Sequence, residues 1–267
     1  MRFSVITPNY NGEAYLEQTI RSVLSQRHAD IDLEYIVVDG NSTDRSLDII
    51  DRYSADIDKL IVENDTGPAN AINKGFAVAT GDVVSWLNAD DVYFKGTLRR
   101  VNKALSLCPD CALCFGACPI IDQHGREIRK WITRFKELFF PFSGRFTYQC
   151  LNYISQPALF FSRFAVEKAG KLNENMIAAW DYDFILRLWR EGGAVRVKQK
   201  PLAAFRWHEA SISGTNFDIQ FQEELASVIR DAGLYSPQSI IHRGVRWGIV
   251  GIYTLMAHLR TRSRPIS

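Results

Sequence analysis

Much of what defines common protein classes is missing from this 267-residue sequence. No apolar run reaches the roughly 17–25 residues that a membrane-spanning helix needs. No secretory leader is expected, because Met1-Arg2-Phe3-Ser4-Val5-Ile6-Thr7 runs directly into what reads as a first strand. No Gly-x-Gly-x-x-Gly follows that strand, which disfavours a dinucleotide-binding Rossmann site. Net charge is almost nil, +2 from 32 basic and 30 acidic residues, so nothing marks a protein that lives on a nucleic-acid backbone. The five cysteines, four of them clustered between Cys108 and Cys118, make no secreted disulfide framework. What remains is a chain 46% hydrophobic and 23% charged, suited to one large globular domain or two closely joined halves. A cytoplasmic enzyme is the expectation.

The chain then alternates. Phe3 to Thr7 reads as a strand, followed by the turn-rich Pro8-Asn9-Tyr10-Asn11-Gly12. Leu16, Ile20, Val23 and Leu24 fall at helical spacing. Leu33 to Val38 is a second strand ending at Asp39-Gly40, and Leu47, Ile50 and Tyr53 mark the helix after it. Lys59 to Glu63 is the third strand, with Asn64-Asp65-Thr66-Gly67-Pro68 behind it and a helix through Ile72, Phe76 and Ala79. Val83-Val84-Ser85-Trp86-Leu87 is a buried strand that ends abruptly in Asn88-Ala89-Asp90-Asp91. Strands alternating with helices at this spacing predict right-handed βαβ units and a mostly parallel sheet.

That order sets Asp39, Asp65 and the Asn88–Asp91 cluster at one sheet edge, the carboxyl edge, where ligand crevices open. Adjacent carboxylates such as Asp90 and Asp91 repel unless a cation or ordered donors lie between them. A hard divalent ion whose shell is completed by substrate phosphates accounts for such a pair; a solvated turn is the plain alternative. The ring and amides of Pro8-Asn9-Tyr10-Asn11 suit a flat base.

Val5-Ile6-Thr7-Pro8-Asn9-Tyr10-Asn11, Val37-Val38-Asp39-Gly40-Asn41-Ser42-Thr43-Asp44, Asn70-Ala71-Ile72-Asn73-Lys74-Gly75 and Trp86-Leu87-Asn88-Ala89-Asp90-Asp91 together resemble glycosyltransferase family 2, over roughly Met1 to Ser213. The resemblance implies the GT-A fold, an α/β Rossmann-like, mostly parallel central sheet flanked by helices. It also implies inverting transfer of a sugar from a nucleotide-diphosphate donor, such as a UDP- or GDP-sugar, with Mn²⁺ or Mg²⁺. Carried over residue by residue, Pro8, Tyr10 and Asp39 would hold the nucleoside, with Asp65 and Asn88 beside them. Asp90 would contact the ribose, Asp91 would bind the metal, and Lys74 would meet donor phosphate or sugar. Asn70 departs from the aspartate of many relatives, which bears on sugar recognition.

The second half is less regular. Gly96 to Leu107 reads as a helix. Cys108, Cys111, Cys114 and Cys118 match an iron–sulfur spacing, C-x₂-C-x₂-C-x₃-C-P. That reading is disfavoured, because a strand at Ala112–Phe115 would point Cys111 and Cys114 to opposite faces; buried cysteines acting as small apolar residues fit better. Arg134 to Tyr148 mixes five phenylalanines with basic residues and, with Pro141 and Gly144, reads as an irregular flap facing a lipid-bearing acceptor or a membrane surface. Gln156 to Phe161 reads as a strand. A helix starts near Trp180 with Phe184, Ile185 and Leu188 buried. From chemistry alone Asp181 is a helix-start acid; the resemblance makes it the general base, with Asp183 turned away. His208 precedes a Ser-x-Ser pattern and by resemblance approaches the metal or diphosphate, its imidazole suiting Mn²⁺.

The expected layout is a nucleotide-sugar-binding half at 1–115, an acceptor-binding half at 116–215 and C-terminal helices at 216–267. Phe217 to Ala232 reads as an amphipathic helix, and the arginine-flanked stretch 242–264 suits either an anionic membrane surface or a docking partner. The expected acceptor is a glycan or lipid-linked hydroxyl in cell-surface polysaccharide or glycolipid synthesis, with the protein cytoplasmic or peripheral on the inner membrane face. No nucleic-acid partner is expected, and a homo-oligomer is compatible with the sequence. The rivals are a catalytically silent nucleotide-sugar-binding or scaffold protein and a sugar nucleotidyltransferase. The latter is disfavoured because the first loop lacks a glycine-rich, arginine-containing run.

Overall fold

The computed structural model describes residues 1–208 and 217–248. Its centre is a seven-stranded sheet in the order β10-β6-β9-β4-β1-β2-β3. The strands are β1 (Arg2–Asn9), β2 (Asp32–Asp39), β3 (Lys59–Val62), β4 (Val83–Trp86), β6 (Cys111–Gly116), β9 (Leu159–Ser162) and β10 (Gly193–Val197). β1 pairs in parallel with both β2 and β4, β2 with β3 and β10 with β6; β9 runs antiparallel between β4 and β6. A second sheet, β5-β11-β7-β8, is built from β5 (Val92–Tyr93), β7 (Ile120–Ile121), β8 (Glu127–Ile128) and β11 (Ala203–Arg206). The mostly parallel α/β architecture is the one the alternating pattern predicts.

The period of two along each strand sends side chains to two separate cores. On β2, Leu33, Tyr35 and Val37 enter one core while Ile36 and Val38 enter the other. Helices α1 (Leu16–Leu24), α2 (Ser46–Arg52) and α4 (Thr97–Ser106) close the first face through Leu16, Ile20, Ile50, Leu98 and Val101. Helices α3 (Pro68–Val78), α7 (Arg163–Ala169) and α8 (Trp180–Glu191) close the second through Ile72, Ala165, Phe184 and Leu188. Trp86, at the end of β4, anchors that second core, with Phe161, Trp180 and Phe184 rings 5.3, 5.8 and 6.1 Å away. Truncating such an aromatic costs about 3–5 kcal/mol.

The structure differs from the sequence reading at three places. The stretch Arg134–Tyr148 is more ordered than a flap: α5 (Lys130–Glu137) and α6 (Arg145–Cys150) flank a 3₁₀ turn at Phe140–Phe142. Pro141 and Gly144 separate two short helices, and that break hides their periods. Gln156–Ala158 is a 3₁₀ turn, so the strand starts at Leu159. Cys111 and Cys114 do not face opposite ways. The β6–β10 register slips between Gly193 and Ala194, so that Cys111 pairs with Gly193 and Leu113 with Ala194. This bulge keeps Cys111, Cys114 and Cys118 in one core.

Two further features complete the frame. Cys108 and Cys111 form a disulfide, Cα–Cα 5.4 Å, which the composition did not suggest. Cys114 and Cys118 are buried thiols, and burial pushes Cys114 up to about 12. Helix α9 (Phe217–Ala232) packs on α8 and α6, and residues 237–248 are helical. The expectation for 242–264 lies outside the described residues beyond 248.

Candidate active site

The carboxyl ends of β1 and β4, with the loop after β3, open onto one cavity of about 770 Å³. It lies where β1 pairs with β2 on one side and β4 on the other, the switch point at which open α/β sheets bind ligands. Pro8, near the end of β1, and Tyr10, just after it, line the cavity. Asn11 holds that loop: its φ of 51° is in the left-handed region that asparagine tolerates. Its side-chain oxygen accepts the Thr43 N–H at 2.8 Å, and its own N–H donates to Ser42 Oγ at 2.9 Å. Asp65 lines the cavity beside Tyr10. Gly40 makes room for both, since a Cβ there would stand 2.4 Å from Asp65 Oδ2 and 3.2 Å from Tyr10 Cδ2.

Asp39 is next to this wall but not on it. Fully buried, its carboxylate accepts Asn9 Nδ2 at 2.6 Å, the Ser42 N–H at 2.7 Å and Ser42 Oγ at 2.8 Å. These bonds tie the β1 and β2 loops together. Asn70 and Lys74 also lie off the cavity wall: Asn70 donates to Glu174 Oε2 at 2.9 Å, and Lys74 pairs with Glu63 at 2.9 Å.

The Asn88–Asp91 turn divides its acids. Asn88 and Asp90 line the cavity, whereas Asp91 is 0% exposed and does not. Asp91 Oδ1 accepts the Arg206 N–H at 2.8 Å, and Asn88 Nδ2 reaches its Oδ2 at 3.4 Å. Burial and the neighbouring Asp90 charge push the Asp91 carboxyl well above the usual range. Asp91 thus sits behind the cavity wall, its carboxylate turned to the Arg206 N–H and Asn88. Asp90 is half-buried and faces the cavity, and its Oδ2 lies 3.0 Å from His208 Nε2. His208 lines the same cavity, its ring 5.3 Å from Tyr15. The Ser-x-Ser pattern after His208 lies outside the described residues.

One carboxylate and one imidazole side by side fit Mn²⁺ or Mg²⁺ when substrate supplies the remaining oxygens. Among the described residues no group of three or more His, Cys, Asp or Glu side chains is arranged to hold a metal ion unaided. The cysteine run is no exception, with Cys108 and Cys111 joined to each other.

Asp181 lines the far half of the cavity from the first turn of α8. Burial raises its carboxyl to about 6, against the Tyr182 N–H that donates to its Oδ1 at 2.7 Å. Glu224 pushes in the same direction as burial and Lys136 against it. Just ahead of the helix, Glu223 of α9 accepts the N–H groups of Ile177, Ala178 and Ala179 at 2.7, 2.9 and 2.8 Å. Asp183 is off the cavity wall, paired with Arg187 and Arg230.

Sequence reasoning missed several wall residues. Lys136 of α5 lines the cavity and donates to Ser155 Oγ at 3.2 Å; burial lowers its pKa. Asn152 and Gln220 line it too, both donating to buried Glu224 at 2.8 and 3.0 Å. No motif marks them, since each comes from a different segment.

The comparisons with known proteins agree with this geometry. The profile described as glycosyl transferase family 2 matches residues 4–170. An uncharacterised glycosyltransferase of Nostoc sp. is 32% identical over 216 residues, 79% of this chain and 66% of that protein. The putative teichuronic acid biosynthesis glycosyltransferase TuaG of Bacillus subtilis is 37% identical over 48% of this chain and 51% of its own length. The chain therefore spans about half to two-thirds of these relatives. Among solved structures, S. aureus TarS with UDP-GlcNAc superposes with a TM-score of 0.69 at 18% identity, over 89% of this chain and 68% of that one. The mannosyltransferase PcManGT from Pyrobaculum calidifontis, in complex with GDP-Man and Mn²⁺, gives 0.67 at 21%, over 90% and 68%. Those likenesses establish the fold, and with the matched profile they make this chain a member of glycosyl transferase family 2 with the GT-A architecture.

Proposed function

We propose that this chain is an inverting, divalent-metal-assisted glycosyltransferase that moves a sugar from a nucleoside-diphosphate donor to an acceptor hydroxyl in surface polysaccharide or glycolipid synthesis. The observation that carries the reading is that Asp181, its carboxyl raised to about 6, lines the same cavity as the Asp90–His208 pair. The UDP-GlcNAc and GDP-Man held by the structural neighbours support the donor class. TuaG's described role in teichuronic acid synthesis supports the product class.

In this reading Tyr10 and Pro8 take the flat face of the base, and Asp65 and Asn88 accept or donate around the nucleoside. Asp90 and His208 would hold the metal, which when bound neutralises charge on the leaving diphosphate. Asp181 takes the proton from the acceptor hydroxyl as it attacks C1 opposite the diphosphate, a role worth about 10²–10⁴ in rate. A carboxyl raised to about 6 is a better base than an ordinary one and is still largely ionised at neutral pH. No protein acid is required for a diphosphate leaving group.

A thermal-shift screen of nucleoside diphosphates and their sugars with Mn²⁺ or Mg²⁺ tests the donor class, because a ligand of the folded state must raise the melting point. A metal-dependent shift followed by release of nucleoside diphosphate is expected. A shift without turnover on any acceptor would favour a silent binding protein, and no shift at all would overturn the reading.

A further inference from the structure

Helix α5 has two unlike sides. Lys136 faces the cavity, while Trp131, Phe135 and Leu138, at i, i+4 and i+7, share a face that is 52%, 44% and 67% exposed. In the turn and helix that follow, Phe142 and Phe146 are also exposed, 72% and 53%. Scattered single apolar side chains are ordinary, but five large ones within sixteen residues, 131 to 146, are an interaction surface. The charge around them is mainly basic: besides Lys136 on the cavity side, residues 126–146 carry Arg126, Arg129, Lys130, Arg134 and Arg145 against Glu127 and Glu137. Exposed aromatic and aliphatic residues rimmed by lysine and arginine match an anionic bilayer, which takes apolar groups at the headgroup boundary and attracts the basic ones. No described helix is long and apolar enough to cross a membrane, so this surface is suited to lying on one.

We propose that α5 and the turn through Phe142 and Phe146 form a docking lip that seats on an anionic phospholipid surface, bringing a membrane-held acceptor to the Lys136 end of the cavity. The acceptor half of this inference rests on the glycosyl-transfer reading; the docking half does not.

The test sediments the full chain with vesicles of phosphatidylcholine, alone or mixed with phosphatidylglycerol. Wild type is expected to partition onto the mixed vesicles more strongly than onto the neutral ones. Trp131→Ser/Phe135→Ser/Leu138→Ser should lower that partition about tenfold or more. Lys130→Gln/Arg134→Gln, on exposed positions that leave the fold untouched, should lower it about fivefold or more on mixed vesicles alone. Nucleotide binding by each variant serves as the check on folding. Vesicle binding without any nucleotide binding would retain the docking lip while removing the transfer reading. Wild type that ignores anionic vesicles, or both variants partitioning like wild type, would overturn the proposal. So would a wild-type dimer that the triple variant converts to monomer with vesicle partition unchanged, since the lip would then cover a second copy.

Discussion

Arg206 donates its backbone N–H to Asp91 Oδ1 at 2.8 Å, tying β11 to the end of β4 across 115 positions of sequence. The Arg206 side chain reinforces the tie, Nε donating to the Asp90 carbonyl at 2.8 Å and Nη2 to Gln18 at 2.9 Å. Two residues beyond Arg206, His208 meets Asp90. Asp91 thus holds the frame in which its neighbour Asp90 is presented.

The two acids should therefore respond differently to substitution. Asp91→Ala strands a buried N–H and is expected to cost about 1–3 kcal/mol of stability, read as a lowered melting point with or without metal. Asp90→Asn leaves the frame and should remove the Mn²⁺-dependent part of nucleotide binding while the melting point of the free protein stays close to wild type. Calorimetric titration of nucleoside diphosphate with and without Mn²⁺ separates them. Metal dependence retained in Asp90→Asn would return the ligand role to another residue.

Glu223 holds the segment that leads into α8 and Asp181, through the N–H groups of Ile177, Ala178 and Ala179. Glu223→Gln keeps the shape and removes the charge that three donors share. Its kcat is expected to fall by up to about 10²-fold, as misplacement of a reacting group costs, with donor KM unchanged and Glu223→Asp restoring part of the rate. A purely structural role would lower stability and active fraction without moving the pH profile of the remaining activity.

Glu34 contributes to the acid sensitivity of the fold. Its buried side chain is bound by Ser4 Oγ at 2.5 Å, Thr80 N at 2.7 Å and Lys59 Nζ at 2.8 Å. Burial raises its carboxyl, but the Lys59, Ser4 and Thr80 hydrogen bonds outweigh that and hold it at about 2. A carboxyl depressed on folding contributes stability above its unfolded value, about 4.5, and loses it as pH falls toward about 2. Denaturant midpoints between those values should therefore drop more steeply in wild type than in Glu34→Gln.

Much of this was legible from periodicity. The strands and helices through Trp86 follow from alternation at short range, and the same alternation sets Asp65, Asn88 and Asp90 at the carboxyl edge. What was not legible came from distant partners. Asp90 and Asp91 are adjacent and chemically alike, and only the Arg206 backbone determines which is buried. Lys136, Asn152, Gln220 and Glu223 belong to separate segments, so no spacing unites them. Cys111 and Cys114 share a core because of a bulge against β10, which strand periodicity has no means to express.

The most direct test of the account is the pH dependence of kcat/KM for sugar transfer, in wild type and in Asp181→Asn. Because a base must be ionised to accept a proton, wild-type activity should be lost as pH falls through about 6. Asp181→Asn should bind donor normally, transfer about 10²–10⁴-fold more slowly and lose that acidic limb. Transfer by Asp181→Asn at rates comparable with wild type would contradict the account.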